Sequence, residues 1–490
     1  MTKRLRLYEI NARAFCGRFD EISSDRLSEL AGVGFNAIWL MGAWLIGPGS
    51  KAMSRVLSKD FQGSPFAISG YEFSPELGGR TAYLDLLRRA RGVGLRVLLD
   101  FIPNHMGLDC PWIGDDPSQF IRSDPALRKQ DPGDYYLHPT GEVIAHGKDP
   151  YFPPWFDTAQ LDYSSETLRR RQIDNLRRIS QDADGVRCDM AMLVLRDYFR
   201  QRWYPNAAEG WFNERMPREF WAEAIAEIKS ICPEFIFLAE AYWGKEPDLL
   251  GLGFDLTYEK SLYDALVARN AGWVRELLSR PVDLLRRCLF FIENHDEARA
   301  ASVFEAGENL AAMAMLLALP GSVLVHQGQA EGFRERLPIQ AVGKTTTEEP
   351  DRRLQDAYAN LLKCTADSVF EIGQFSLLST SDPSVVAFLR SSVEKTVVYA
   401  GQIGGDASSF LRTEIDIGDA AIVAGAHGND NDDDVVILRN LLGSGSIAIH
   451  RMADRFTVMP GELMTSESRF VLFQVTRPDA ASAEPPASSR

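Results

Sequence analysis

Residues 95–105 read LRVLLDFIPNH, an apolar run that turns polar at Asp100 and closes on Asn104 and His105. A short apolar run bounded by turn residues reads as a buried strand. The pattern recurs along the first 365 or so residues, in LRLYEI (5–10), FNAIWLM (35–41), DGVRCDMA (184–191), FIFLAEAY (235–242), GFDLTY (253–258), CLFFIENHDE (288–297) and SVLVHQG (322–328). Between these runs lie stretches with apolar residues three or four apart, such as TAYLDLLRRARGVG (81–94), SETLRRRQIDNLRRI (165–179) and REFWAEAIAEIKSI (218–231), which predict amphipathic helices. Eight strand candidates separated mostly by helices predict an α/β fold, a (β/α)8 TIM barrel. An open doubly wound sheet is the competing layout.

The barrel segments are expected over 1–100 and 184–370. Residues 101–183 are too long for one loop and one helix. Their Pro, Asp and aromatic content (PWIGDDPSQF, DPGDYYLHP, DPYFPPWFDT) predicts a small subdomain inserted after the third strand, shaping the cleft. From 371 to 478 the alternation changes to period two (SVVAFLRS, KTVVYAGQ, DVVILRN, SIAIHRM, RFVLFQVT), which predicts a C-terminal antiparallel β-sandwich. The tail, 479–490, lacks apolar residues and is expected to be disordered.

The chain holds 53 Lys+Arg against 68 Asp+Glu, a formal charge of -15, which repels phosphate backbones and anionic lipid. Nucleic acid is excluded as an expected partner. The longest apolar stretch, Leu310 to Leu319, is too short to cross a bilayer, and the N-terminal MTKRLRLYEINARAF has no uninterrupted apolar segment of a leader. Six widely spaced cysteines form no C-x-x-C pair, so reduced thiols and a cytoplasmic location are expected, with no zinc site. Oligomeric state is left open by the sequence.

Four strand candidates end in polar clusters: Asp100 to His105, Arg187 and Asp189, Glu240, and Asn294 to Asp296. Barrel enzymes carry their catalytic groups at those carboxyl ends. Arg187 and Asp189, two apart on a strand, are expected to project together, with the arginine keeping the carboxylate ionised. Any one cluster reads equally well as a cap or structural ion pair. Three carboxylates at one mouth repel one another, a signature of function.

These segments, DFIPNH, GVRCD, FLAEAYW and ENHD, resemble the four sequence regions of the alpha-amylase superfamily of retaining glycosidases and transglycosylases. Their order and spacing also match, and SPFAISGYEFSPELGG (64–79) and PGSVLVHQGQ (320–329) are similar to further family stretches. The resemblance implies Asp189 as nucleophile, Glu240 as acid then base, and Asp296 as stabiliser of an oxocarbenium-like sugar. It implies sugar contacts by His105 and His295, with Asp100 and Arg187 supporting them. Phe66 falls where many relatives stack a tyrosine on the sugar, and core packing is the alternative. Trp39 is expected to be core; Trp112, Trp155 and Trp243 either stack on sugar or pack the insertion. Retention needs two carboxyl groups about 5–5.5 Å apart, one ionised and one protonated, and Arg187 beside Asp189 and the like charges around Glu240 are expected to push the two in those opposite directions.

Starch-degrading relatives continue the second region with a Lys-His pair; this chain has Met192 and Leu193 there, which favours short oligosaccharides or small glucosides. A retaining alpha-glycosidase is the expected function. The alternatives are a transglycosylase of the same family and a non-catalytic carbohydrate-binding or scaffold protein on the same fold. TAQLDYSS (158–165) resembles the family's fifth region without fixing specificity. No cofactor is required. Asn104 matches a family calcium position, but the other ligands are not assignable, so no metal residue is named. The acidic run Asn429 to Asp434 lacks the Gly and Glu of an EF-hand loop and reads as a solvated turn. Gly343 to Thr345 (GKT) lacks the rest of a phosphate-binding loop.

Overall fold

The computed structural model describes residues 4–130, 133–343, 346–405, 407–418, 435–443, 446–450, 456–464 and 468–476. Eight parallel strands close a barrel: β1 (Arg6–Asn11), β2 (Ala37–Met41), β3 (Arg96–Phe101), β4 (Gly185–Cys188), β5 (Ile236–Ala239), β6 (Leu256–Tyr258), β7 (Cys288–Phe290) and β8 (Ser322–His326). Each pairs with its sequence neighbour, and β8 returns to β1, with Arg6 opposite Val323 and Glu9 opposite His326. Closure rules out the open sheet. The strands are buried on both sides, inside by barrel side chains and outside by helices, which is why they read as nearly continuous apolar runs.

The principal outer helices are α1 (Ser24–Val33), α2 (Gly79–Gly92), α3 (Glu166–Asp182), α4 (Phe220–Ile231), α5 (Lys260–Val267), α6 (Ala306–Ala318) and α7 (Arg352–Cys364). Helix α1 starts on Ser23, whose side chain accepts from the Arg26 amide, and stops at Gly34 in the left-handed region. Helix α6 is nearly uniformly apolar because it is covered on two sides, by the barrel and by the C-terminal sheet. Among the described residues no helix is long and apolar enough to cross a membrane, and five cysteines are free thiols.

The segment between β3 and α3 carries two small antiparallel sheets. His105–Gly107 pairs with Thr158–Gln160, and Val143–Ala145 lies between Arg122–Ser123 and Tyr135–Leu137. Beyond the barrel, six antiparallel strands form one sheet: β9 (Gln374–Leu378), β10 (Val385–Ser391), β11 (Thr396–Gln402), β12 (Val435–Asn440), β13 (Ser446–His450) and β14 (Phe470–Thr476), in the order β9-β10-β11-β14-β12-β13. Its alternation serves two cores. Val386, Phe388, Val397 and Tyr399 join the barrel core, and the Tyr399 hydroxyl donates to the Ala311 carbonyl of α6 at 2.9 Å. Val385, Ala387, Leu389 and Val398 face a second core, closed by the two-stranded ribbon Ile415–Asp416 and Thr457–Val458, the thin second layer of the sandwich. The acidic run 429–434 and the tail 479–490 lie outside the described residues.

Candidate active site

The chemistry-bearing side chains emerge where the barrel strands end. Asp189 follows the last residue of β4, Glu240 the last of β5, and Asp296 lies in the loop after β7. Between the first two stands Arg187, fully buried. One guanidinium nitrogen is 2.6 Å from Asp189 Oδ1, the other 2.8 Å from Glu240 Oε2, and Nε donates to the Tyr258 hydroxyl at 3.3 Å. The rings of Trp39, Phe66 and Tyr258 lie 5.1, 5.2 and 5.6 Å from its central carbon and shield it from water.

Met190, directly after Asp189, has φ 43° and ψ 45°, a left-handed conformation that is uncommon for a side chain with a Cβ. That turn aims its amide at Glu240 Oε2, 2.6 Å away. Strained backbone held in place beside reacting groups is a recurring property of functional sites. The Tyr242 hydroxyl donates to the other oxygen of Glu240 at 2.8 Å.

These groups open on a pocket of about 710 Å³ lined by Phe66, His105, Asp189, Glu240, His295 and Asp296, with Trp155 and Trp243 on its walls. Trp155 packs against the His105 ring at a centroid distance of 5.1 Å. Trp243 contacts Tyr151 of the inserted segment at 4.9 Å and stacks on Tyr198 at 6.1 Å, so barrel and insertion meet at the rim. Trp112 lies elsewhere, under Arg171. A larger cleft of about 940 Å³, lined by Tyr204, Trp211 and the pairs Arg170–Glu166 and Arg218–Glu223, shares no lining residue with this pocket.

Two residues expected in the substrate-binding set, in support of the histidine contacts, stand behind the pocket wall. Asp100 is 0% exposed, and both oxygens are occupied, Oδ1 by the Trp39 indole N–H (2.8 Å) and Oδ2 by the Gly42 amide (2.7 Å). Asp100 and Arg187 are therefore positioned to fix their neighbours, not to line the pocket. Trp39 is core, as expected, and also a donor. Met192 and Leu193 are buried in the turn after β4. Asn104 donates to Gln160 Oε1 and accepts from its Nε2 at 3.1 Å. Asn104 thus exchanges both amide hydrogen bonds with Gln160, and no group of three His, Cys, Asp or Glu that could hold a metal occurs among the described residues. The Gly343 amide donates to the Arg13 carbonyl, and Lys344 and Thr345 lie outside the described residues.

Electrostatics correct one expectation. Arg187 was expected to act on Asp189 and leave Glu240 to its like-charged neighbours, yet it contacts both. Burial pushes Glu240 up to about 7, with Arg187 opposing and Asp189 and Asp296 adding to the rise. Burial also raises Asp189, against the pull of Arg187. Both carboxyls therefore move in the same direction. Asp296 behaves otherwise: burial works against its charge, but the adjacent His295 holds it well below the usual carboxylate range. Burial pushes His105 down to about 3, so it presents a neutral ring.

Several participants escaped the sequence reading. Glu9, Tyr242, Tyr258 and the Met190 turn were not singled out. A charged residue inside LRLYEI and a tyrosine two places after Glu240 were the available signals.

An eight-stranded parallel barrel with three carboxylates around one pocket at its carboxyl end has the architecture of the barrel glycosidases. Residues 16–250, just under half of the chain, match the family model described as alpha-amylase, catalytic domain, and that match together with the relatives below supports the alpha-amylase superfamily. Alpha-amylase MalA of Haloarcula japonica is 25% identical over 346 residues, covering 67% of this chain and 44% of that protein. Alpha-amylase 3 of Dictyoglomus thermophilum is 20% identical over 456 residues, 80% of this chain and 83% of that one. In fold, the chain is similar to the maltogenic alpha-amylase AmyB of Thermotoga neapolitana, with a TM-score of 0.72 and 20% identity over 97% of this chain and 99% of the other. The match to the Haloarcula protein spans less than half of that relative's length.

Proposed function

We propose that the chain is a retaining alpha-glycosidase that hydrolyses alpha-glucosidic bonds of short oligosaccharides or small glucosides. The observation that carries this reading is the single guanidinium of Arg187 holding one oxygen of Asp189 and one of Glu240. Two carboxyl groups held by the two terminal nitrogens of one guanidinium are near neighbours, which supports the separation of retaining enzymes, about 5–5.5 Å, over the about 6.5–9.5 Å of inverting ones. Asp189 makes the shorter contact to the guanidinium, and Glu240, pushed up by burial to about 7, is suited to hold the acid's proton near neutrality.

In the first step the Asp189 carboxylate attacks the anomeric carbon as Glu240 protonates the departing oxygen. In the second, Glu240, now a carboxylate, takes a proton from water as that water displaces Asp189. Asp296, ionised at the pocket wall, faces the positive charge that develops on the sugar ring. No step is routed through a metal. The apolar Met192 and Leu193, buried away from the pocket, leave the leaving-group side to the aromatic rim of Trp243 and Tyr151, which supports a short substrate. That rim also suits an acceptor sugar, which would give transglycosylation from the same intermediate.

The test is a panel of maltose, isomaltose, trehalose, sucrose, small glucosides and starch, with products followed by NMR from first turnover and with added acceptor. Release of the α-anomer from a short substrate supports the reading. Starch as the preferred substrate, or first release of the β-anomer, would overturn it.

A further inference from the structure

Glu9 is a carboxylate in a place that ordinarily excludes charge. It sits on β1, 0% exposed, in register with Trp39 on β2 and His326 on β8. Its Oε1 lies 2.6 Å from Nδ1 of His295, and its Oε2 has no hydrogen-bond partner among the described residues. The opposite nitrogen of the same ring, Nε2, lies 3.0 Å from Asp296 Oδ2, an ion-pair contact without the alignment of a hydrogen bond. Ionised carboxylates only accept, so a ring met by one on each nitrogen carries N–H at both and is an imidazolium. Trp39 edge-on and Phe66 tilted, each at a centroid distance of 5.4 Å, fix the ring plane.

Removing one partner of a buried charge pair leaves the other uncompensated, so Glu9 and His295 are mutually dependent. The remaining charged groups near them are Arg187 and Asp189 from the β4 side, Glu240 beyond β5, and His326, which is itself 3.0 Å from Glu293. None replaces Glu9 at Nδ1. Burial alone would strip the proton from His295, yet Asp296 and Glu9 together push it up to about 10.

We infer that Glu9 is a positioning residue: it holds His295 as an imidazolium whose second N–H faces Asp296, and thereby keeps Asp296 ionised and aimed into the pocket. The inference rests on the proposed role of Asp296 only for its kinetic consequence. A purely structural ion pair would stabilise the barrel without setting the protonation of a ring in the pocket wall.

The test is side-chain NMR of the full chain with labelled histidine at pH 8, with the His295 signal assigned by its loss in His295→Gln. Two N–H groups are expected on His295 in the natural protein, and one in Glu9→Gln, where the neutral amide no longer demands a cation. For Glu9→Gln, kcat should fall roughly 10- to 100-fold while KM changes less than about threefold, because the binding surface is intact and only charge alignment is lost. A neutral His295 in the natural protein at pH 8 overturns the inference, as does an unchanged imidazolium and kcat in Glu9→Gln. If Glu9→Gln fails to fold, the spectrum of the natural protein still decides. That spectrum needs no substrate, so failure of the glycosidase reading and failure of this one are told apart.

Discussion

Replacing Glu240 with Gln should make the protein less active and, above neutral pH, more stable. The carboxyl moves from an ordinary value of 4.5 to about 7 on folding, chiefly through burial. Below pH 4.5 it is protonated in both folded and unfolded chains and contributes nothing to pH dependence. Between 4.5 and about 7 the folded protein keeps a proton that the unfolded chain has released, so stability declines with rising pH. Each unit corresponds to about 1.4 kcal/mol, which gives a loss of about 3 kcal/mol that is complete just above pH 7. Gln, of nearly the same shape, carries no such dependence. Urea unfolding of both proteins at pH 4.5 and pH 8 measures it directly. The advantage of Glu240→Gln over the natural protein should be about 3 kcal/mol larger at pH 8. In parallel, turnover of a sugar leaving group should fall roughly 10²- to 10⁴-fold, while a dinitrophenyl leaving group, which departs without a proton, loses little in bond cleavage. An equal stability difference at the two pH values, or equal losses for both leaving groups, would refute the assignment of the proton to Glu240.

Three further outcomes follow from the same geometry. Arg187→Leu leaves Asp189 and Glu240 buried without their shared cation and should destabilise the fold by about 3–5 kcal/mol at pH 8, and by less at pH 5 where the carboxyls take up protons, as read by denaturant titration. Trp243→Ala removes a rim wall and should raise KM for a short oligosaccharide roughly 5- to 30-fold, equivalent to about 1–2 kcal/mol, with kcat changed little in initial-rate assays. Gly147→Ala would place a methyl carbon 2.9 Å from the Cβ of His105 and 2.8 Å from Thr158 Oγ1, so it should displace His105 and lower kcat/KM, measured beside a melting curve.

The barrel was legible because each strand is a short apolar run covered on both faces, so hydropathy alone marks it. Asp189, Glu240 and Asp296 were legible because each breaks such a run at its carboxyl end. Strand β9 escaped notice because it is only half-buried and its apolar period is weak. What lay beyond sequence was every relation across strands: one guanidinium shared between Asp189 and Glu240, the Asp100 oxygens taken by Trp39 and Gly42, and Glu9 reaching the far side of His295. Local spacing set Arg187 beside Asp189, but the barrel's closure set it equally beside Glu240. That is why the opposite shifts expected for the two carboxyls became a common upward shift driven by burial. The left-handed Met190 was invisible for another reason, since nothing in its identity announces a positive φ.

A glycosyl-enzyme bond on Asp189 would be seen most directly by mass spectrometry of the protein after exposure to a mechanism-based fluoro-glucosyl fluoride. A gain of one fluoroglucosyl unit per chain is expected, located on the peptide that carries Asp189 and absent in Asp189→Asn. A label on any other residue, or steady turnover with no label, would contradict it.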